Sequence, residues 1–283
     1  LVLLLDDSLA ALPWESLPSL RAHSISRFPT AALLAAALAA GDADCGALLD
    51  PRDGFFVLNP AGDLPHTQAM FEESFRYQRW TGAAGQPPAE ADLLRDLSSR
   101  SLFAYCGHGA GERYVAGDKV RSLAGTGGCA TAVLMGCSSA RLKREGVFEP
   151  RGMVLSYLIG GARLAVGNLW DVSDRDIDRF ADSLFRRAVF LPDTPQPPAA
   201  AATDAPPAAG VTSFARRLQE AAQPASSDAN SSFVSCVALA REDVRMKYLI
   251  GAAPVCPVPH PHIKAWSWPM FNLHVCRGLV EVW

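Results

Sequence analysis

Five short apolar runs constrain this chain more than any other feature. They are LVLLL (1–5), GFFVLN (54–59), SLFAYCGHG (101–109), TAVLMGC (131–137) and RLAVGNLWD (163–171). Each is long enough for a buried strand and too short for a buried helix. RAHSISRF (21–28) alternates weakly like a strand, and IGAAPVC (250–256) reads as a last short one. Between them lie stretches with helical character. PWESL (13–17) reads as a short helix, and Pro29-Thr30 leads into a helix over AALLAAALAA (31–40). The turn Pro60-Ala61-Gly62-Asp63 offers an aspartate to cap a helix that carries Met70, Phe71, Phe75 and Tyr77 and ends near Trp80. AEADLLRDLSS (89–99) is amphipathic, RYVAGD (113–118) suits a hairpin arm, and RGMVLSYLIGG (151–161) is a helix closed by glycine. In SDRDIDRFADSLFRRAV (173–189), Ile177, Ala181, Leu184 and Ala188 share one face, and Ser173 with Asp176 fits a capping box. A helix is also expected over VSCVALAREDVRMKYL (234–249).

Strands alternating with helices at this rhythm predict an α/β fold, a mostly parallel sheet with helices on both faces. Sites on such sheets sit beyond the carboxyl ends of the strands. Three runs end there in polar or glycine-rich punctuation: CGHGAG (106–111), GCSSA (136–140) and NLWDVSD (168–174). The proline-rich stretch 191–210 reads as a disordered insertion and QPASSDANSS (223–232) as a polar linker. Residues 257–283 show no clear period and receive no assignment.

Composition narrows the chemistry. The net charge of −3 is too small to imply a nucleic-acid or anionic-membrane partner. The longest apolar run, 31–40, is about half of a membrane span. The seven cysteines form no CxxC and are odd in number, a poor disulfide framework and a poor zinc site. Reduced thiols in an intracellular protein are the simplest reading. The six histidines show no metal-ligand spacing, and the chain opens on Leu1, as a piece of a longer protein would.

A cysteine at a strand end is more often core than catalyst, but the surroundings of Cys137 favour chemistry. Gly136, Ser138, Ser139 and Ala140 leave space around the sulfur and allow a tight turn. A reactive thiol needs partial exposure and a partner that takes its proton. His108 follows its own apolar run and is ringed by glycines, so packing does not explain it. If the two strands are neighbours, about 4.8 Å apart, the pair forms a Cys–His dyad. The N–H groups of Gly109 and Cys137 are then candidates for an oxyanion hole. Asp171, Asp174, Asp176 and Asp178 crowd the third strand end. Asp174 and Asp178 are like charges at i, i+4, a mild cost that a pocket for a basic group would justify. Arginine or lysine suits such a pocket, with arginine favoured because it pairs bidentately with carboxylate.

Competing readings are weaker. HGAG with GCSSA resembles an esterase oxyanion loop and a nucleophile elbow centred on Ser138. The 24 residues from Glu112 to Met135 leave no room for the elements that fold needs between them. Cys106 shares a strand face with His108, but a dyad within one strand leaves no space for substrate, so Cys106 reads as a core thiol. GHGAGE (107–112) lacks the glycine spacing and the Lys-Ser/Thr of a phosphate cradle.

Five blocks carry a resemblance. LVLLLDDSLAALPWESLPSLRAHSISRFP, FFVLNPAGDLPHTQAMFE, YCGHGAGERY, LMGCSSARLKREGVFEPRGMVLSYLIGGARLAVGNLWDVSDRDIDRF and AREDVRMKYLIGAAPV together make the chain closely similar to separase, the caspase-like cysteine protease that opens cohesin at anaphase. They cover most of 1–190 and 240–255. GHGAG and MGCSSA are general to caspase-like proteases. PWE, LNPAGDL and NLWDVSDRDIDRF in combination are specific. The resemblance implies a caspase-like fold over 1–256, with an N-terminal part (1–100) and a protease core (101–256). It implies His108 as general acid/base, Cys137 as nucleophile, Asp178 as the holder of the substrate arginine, Trp170 as a wall for the arginine stem, and Asp171 as a further residue binding that arginine. It implies no cofactor and no metal, the cohesin kleisin subunit as substrate, securin as inhibitor, and work in cytoplasm and nucleus, on spindle and chromosomes in mitosis. The family's N-terminal helical repeats are absent from this chain, and CPVPHPHIKAWSWPMF (256–271) replaces its usual ending. Caspase-like proteases with a CHAT domain share the HG, cysteine and LWxVxD blocks but lack PWE and LNPAGDL. A catalytically dead caspase-like binding module would not need both His108 and Cys137.

Overall fold

The computed structural model describes residues 1–28, 30–31, 50, 52–144, 146, 150–190, 233–257, 273–276 and 279–282. The expected helix over 31–40, the insertion at 191–210, the linker at 223–232 and much of the tail lie almost wholly outside them.

Six strands form the main sheet: β3 (Gly54–Leu58), β4 (Thr81–Ala84), β5 (Leu102–Cys106), β6 (Thr131–Leu134), β7 (Ala165–Asn168) and β8 (Pro254–Val255). Their order is β4-β3-β5-β6-β7-β8, parallel throughout except for antiparallel β8. A boundary at residue 100 therefore does not divide this sheet, which draws strands from both sides of it. Every residue of β3, β5, β6 and β7 is buried, as strands covered on both faces must be.

The period of two divides the core into layers. Phe56, Leu58, Ala104, Cys106, Val133 and Val166 face one cluster, completed by Phe71 and Phe75 of one helix (Pro65–Tyr77, α2) and Phe180, Leu184 and Phe185 of another (Asp174–Ala188, α6). Val234 and Val237 of the helix Phe233–Ala240 (α7) close the same side. Phe55, Val57, Phe103, Tyr105, Ala132 and Leu134 face the other side. There Leu93 and Leu97 of Glu90–Ser99 (α3), Val120 of Gly117–Arg121 (α4) and Tyr157 of Met153–Ile159 (α5) cover them. Phe55 and Phe103 are register partners on adjacent strands, and their rings stack at 4.6 Å.

A second sheet joins β1 (Val2–Leu5) to parallel β2 (Ser26–Phe28) and, through backbone pairing, to β10 (Leu279–Val282) and β9 (Leu273–Cys276). A short helix (Asp7–Ala10, α1) and a 3-10 turn at Trp14–Ser16 link β1 to β2. The PWE glutamate braces β2, whose Arg27 meets the stretch after β8. Glu15 is buried and pairs with buried Arg27 at 2.6 Å. The Arg27 amide donates to Cys256 O at 3.0 Å, and buried Arg241 donates to Pro254 O at 2.8 Å.

Four local expectations differ. Leu64, not Asp63, is the N-cap of α2, and no side chain caps it. Asp63 turns to His108 instead. Ser173 is the N-cap of α6 but makes no side-chain capping bond, and the Asp176 carboxylate pairs with Arg179 instead of reaching back to it. RYVAGD forms turns leading into α4 rather than a hairpin arm. β5 and β6 pair directly, so no sheet edge is open there for an arm to join. The helix from 234 stops at Ala240, followed by a 3-10 turn at Arg241–Asp243. Residues 245–249 are all exposed, so no buried face sustains a longer helix.

Candidate active site

Three strand ends converge because β5, β6 and β7 are consecutive parallel neighbours. β5 runs out at Gly107-His108-Gly109, β6 at Gly136-Cys137-Ser138 and β7 at Leu169-Trp170-Asp171-Val172. The first two loops touch through backbone. A Cβ on Gly136 would lie 1.9 Å from Gly109 O and 2.5 Å from Gly107 O, so only glycine fits. Gly109 has φ +67°, the left-handed conformation glycine adopts freely. The Tyr105 hydroxyl donates to His108 O at 2.6 Å, and Glu112 accepts the Ala110 amide at 2.6 Å. These bonds fix the backbone of the histidine loop.

The cysteine turn is fastened to the end of β7. The Asn168 side-chain amide donates to Gly136 O at 3.0 Å, and the Asn168 backbone N–H donates to Ser139 Oγ at 2.9 Å. Ser139 Oγ itself donates to Leu134 O at 2.7 Å. Ser138 has φ +53°, and its hydroxyl donates to Asp171 Oδ1 at 2.7 Å. That hydroxyl meets a carboxylate and not an imidazole, so the esterase reading has no base. Cys137 is half-buried, with Sγ 3.3 Å from Val172 O and 3.4 Å from the Val172 amide, which donates to it.

His108 and Cys137 line one narrow cleft, whose water-accessible volume is about 20 Å³. Leu64 and Thr67 of the α2 end, Val172 of the β7 loop, and Asp174, Ile177 and Asp178 of α6 complete its walls. Asp178 is 2% exposed. Thr67 Oγ1 donates to its Oδ2 at 2.8 Å, and His66 Nδ1 lies 3.5 Å away. Burial pushes the Asp178 carboxyl up to about 7, with nearby Asp174 adding to the rise against the Thr67 hydrogen bond and Arg179. Cys106 lies beneath, fully buried, its thiol raised by burial and then by Asp178. Such a thiol is inert packing. The cleft thus presents an imidazole, a thiol and a recessed carboxylate, a set suited to acyl transfer at a bond next to a basic side chain.

The other expected residues stand elsewhere. Trp170 is half-buried, and its indole N–H donates to Leu249 O at 3.0 Å. Asp171 is exposed and bonded to Ser138. Neither is among the residues that line the cleft, where Val172 and Thr67 stand. The residues that sequence reasoning missed, Asp63, Leu64 and Thr67, all lie in LNPAGDLPHT (58–67). The available signals were the LNPAGDL motif itself and that its loop follows β3, the next strand to β5.

Asp63 meets the histidine. His108 Nε2 lies 2.9 Å from Asp63 Oδ2, with the two side chains 59% and 57% exposed. The hydrogen bond from His108 holds the Asp63 carboxyl below the usual range. Among the described residues, no group of three or more His, Cys, Asp or Glu is placed to hold a metal ion.

Comparison with known proteins gives one consistent result. Residues 1–177 match the family described as "Separin, protease domain". The mouse separin is 36% identical over 261 residues, covering 90% of this chain and 10% of that protein. The separin of Schizosaccharomyces pombe is 43% identical over 182 residues, covering 64% of this chain and 10% of that protein. The Saccharomyces cerevisiae separase–securin complex at 3.0 Å resolution superposes with a TM-score of 0.70 at 29% identity, covering 89% of this chain and 15% of that one. The chain spans about a tenth of the length of the curated relatives it matches.

Proposed function

The chain belongs to the family of separin protease domains, and from that premise we propose that it is the catalytic part of a cysteine endopeptidase that cleaves after arginine. The observation that carries this reading is the shared cleft, with His108 and Cys137 at its edge and buried Asp178 in its wall. A substrate arginine would extend its guanidinium to Asp178, where a charge-assisted pair in a dry site is strong. The cost of ionising Asp178 would be met by the bound cation.

In acylation, His108 takes the Cys137 thiol proton, breaking the S–H bond, as the sulfur attacks the carbonyl carbon and forms the S–C bond. The N–H groups of Gly109 and Cys137 stabilise the oxyanion. Collapse breaks the C–N bond as His108 delivers a proton to the leaving amine. Water, deprotonated by His108, then attacks the thioester, returning the thiol and releasing the new carboxyl end. Each step uses groups of the chain and water.

The substrate proposed is the kleisin subunit of cohesin, cut in cytoplasm or nucleus when sister chromatids part. The yeast relative was solved bound to securin, and a securin-type inhibitor is the proposed partner here. The test is cleavage of a kleisin peptide against the same peptide with its cleavage-site arginine replaced by glutamine. The reading expects cutting of the arginine peptide alone, and loss of it in His108→Ala. Equal cutting of both peptides would remove Asp178 from the recognition step.

A further inference from the structure

We propose that Asp63 is a positioning residue for His108, fixing the rotamer and tautomer of the imidazole and reserving Nδ1 for proton exchange at the scissile bond. The proposal rests on His108 being the general acid/base. Glycines at 107 and 109 leave the ring little to pack against, and it is more than half exposed. Packing alone therefore does not hold it. The carboxylate of Asp63, 2.9 Å from Nε2, does. An ionised carboxylate can only accept, so Nε2 carries the hydrogen. In the neutral ring the basic nitrogen is then Nδ1, which has no hydrogen-bond partner among the described residues.

Asp63 is itself held where it is needed. Asn59, at φ +50°, accepts the Leu64 amide on Oδ1 at 2.8 Å and donates from Nδ2 to Gln68 Oε1 at 2.9 Å. The Gly62 amide donates to Asn59 O at 3.0 Å. The Pro60 ring sits against Gly107, where an added Cβ would come within 2.9 Å of it. The LNPAGDL loop and the histidine loop are therefore seated against each other, with Asp63 to Nε2 as the side-chain link. An ion pair this exposed contributes little to stability. When a substrate covers the cleft and excludes water, the same bond strengthens. Its consequence should therefore fall on rate rather than on folding.

The experiment compares parent, Asp63→Ala, Asp63→Asn and His108→Ala in the full chain, on an arginyl peptide amide and the matching p-nitrophenyl ester. The amide nitrogen must gain a proton to leave, whereas p-nitrophenolate leaves without one. Asp63→Ala is expected to lower kcat on the amide about 10- to 100-fold, with KM within about twofold. Its kcat/KM on the ester, which needs His108 to take the Cys137 proton but not to protonate the leaving group, should fall less than on the amide. Asp63→Asn should recover part of the amide rate, because its side-chain oxygen still accepts from Nε2. Amide turnover by Asp63→Ala within about twofold of parent, while His108→Ala is inactive, overturns the proposal, as does an Asp63→Asn rate no higher than that of Asp63→Ala. Activity in His108→Ala would overturn the acid/base reading beneath it instead.

Discussion

Replacing Asp178 by asparagine removes a carboxyl that is 2% exposed and that burial pushes up to about 7 from 3.8. Between those values the folded protein keeps a proton that the unfolded chain has released. Stability must then fall as pH rises, because the native state binds more protons. The full contribution is present below the unfolded value, near pH 4, and is lost as pH passes the folded value near 7. At about 1.4 kcal/mol per pH unit, a separation of about 3 units amounts to about 4 kcal/mol. Asparagine has the same shape, its oxygen can accept from Thr67, and it does not ionise. The charged and titratable neighbours are Asp174 and Arg179 on α6, His66 on α2 and Cys106 on β5. Running the comparison in a His66→Gln background removes the imidazole from the balance. Equilibrium urea unfolding of Asp178→Asn and parent, in steps from about pH 4.5 to 8.5, reads the difference directly. The variant should gain up to about 4 kcal/mol on the parent across that range while losing cleavage after arginine. A stability difference that stays constant with pH would refute the burial argument.

Other expectations follow from the same packing. Gly136→Ala places a methyl 1.9 Å from Gly109 O, so the histidine and cysteine loops must separate. Peptide cleavage should fall by about 100-fold, measured as kcat, with α-helical circular dichroism retained. Glu15→Ala leaves buried Arg27 without its carboxylate, which should cost about 3–5 kcal/mol in urea unfolding. Replacing both residues by methionine should cost much less, and equal losses would assign the effect to packing rather than charge.

The sheet was legible because strands buried on both faces read as short continuous apolar runs, as LFAYC and TAVL do. That the strands leading to His108 and Cys137 are neighbours was legible for the same reason, since successive strands tend to pair. The arrangement around Asp63 was not. A local rule offered the aspartate the helix N-terminus beside it, and a histidine 45 residues on competed successfully for it. Thr67 and Asp178, 111 residues apart, meet through helix packing that no local pattern encodes. The direction of the Trp170 side chain was not legible, because a strand end looks alike whether its side chains turn toward the cleft or away. The carbonyl of Leu249, from a distant turn, decides that for the indole. Ser173 and Asp176 had capping-box spacing, but Arg179 offered Asp176 a charged partner one turn along.

The central claim is that the half-buried thiol at the end of β6 is the nucleophile. A peptide acyloxymethylketone ending in arginine tests it most directly, with the site of adduction read by mass spectrometry. The account predicts one adduct, on Cys137, absent from Cys137→Ser and blocked by excess arginyl peptide. Labelling that persists in Cys137→Ser, or that falls on Cys106 or Cys129, would contradict it.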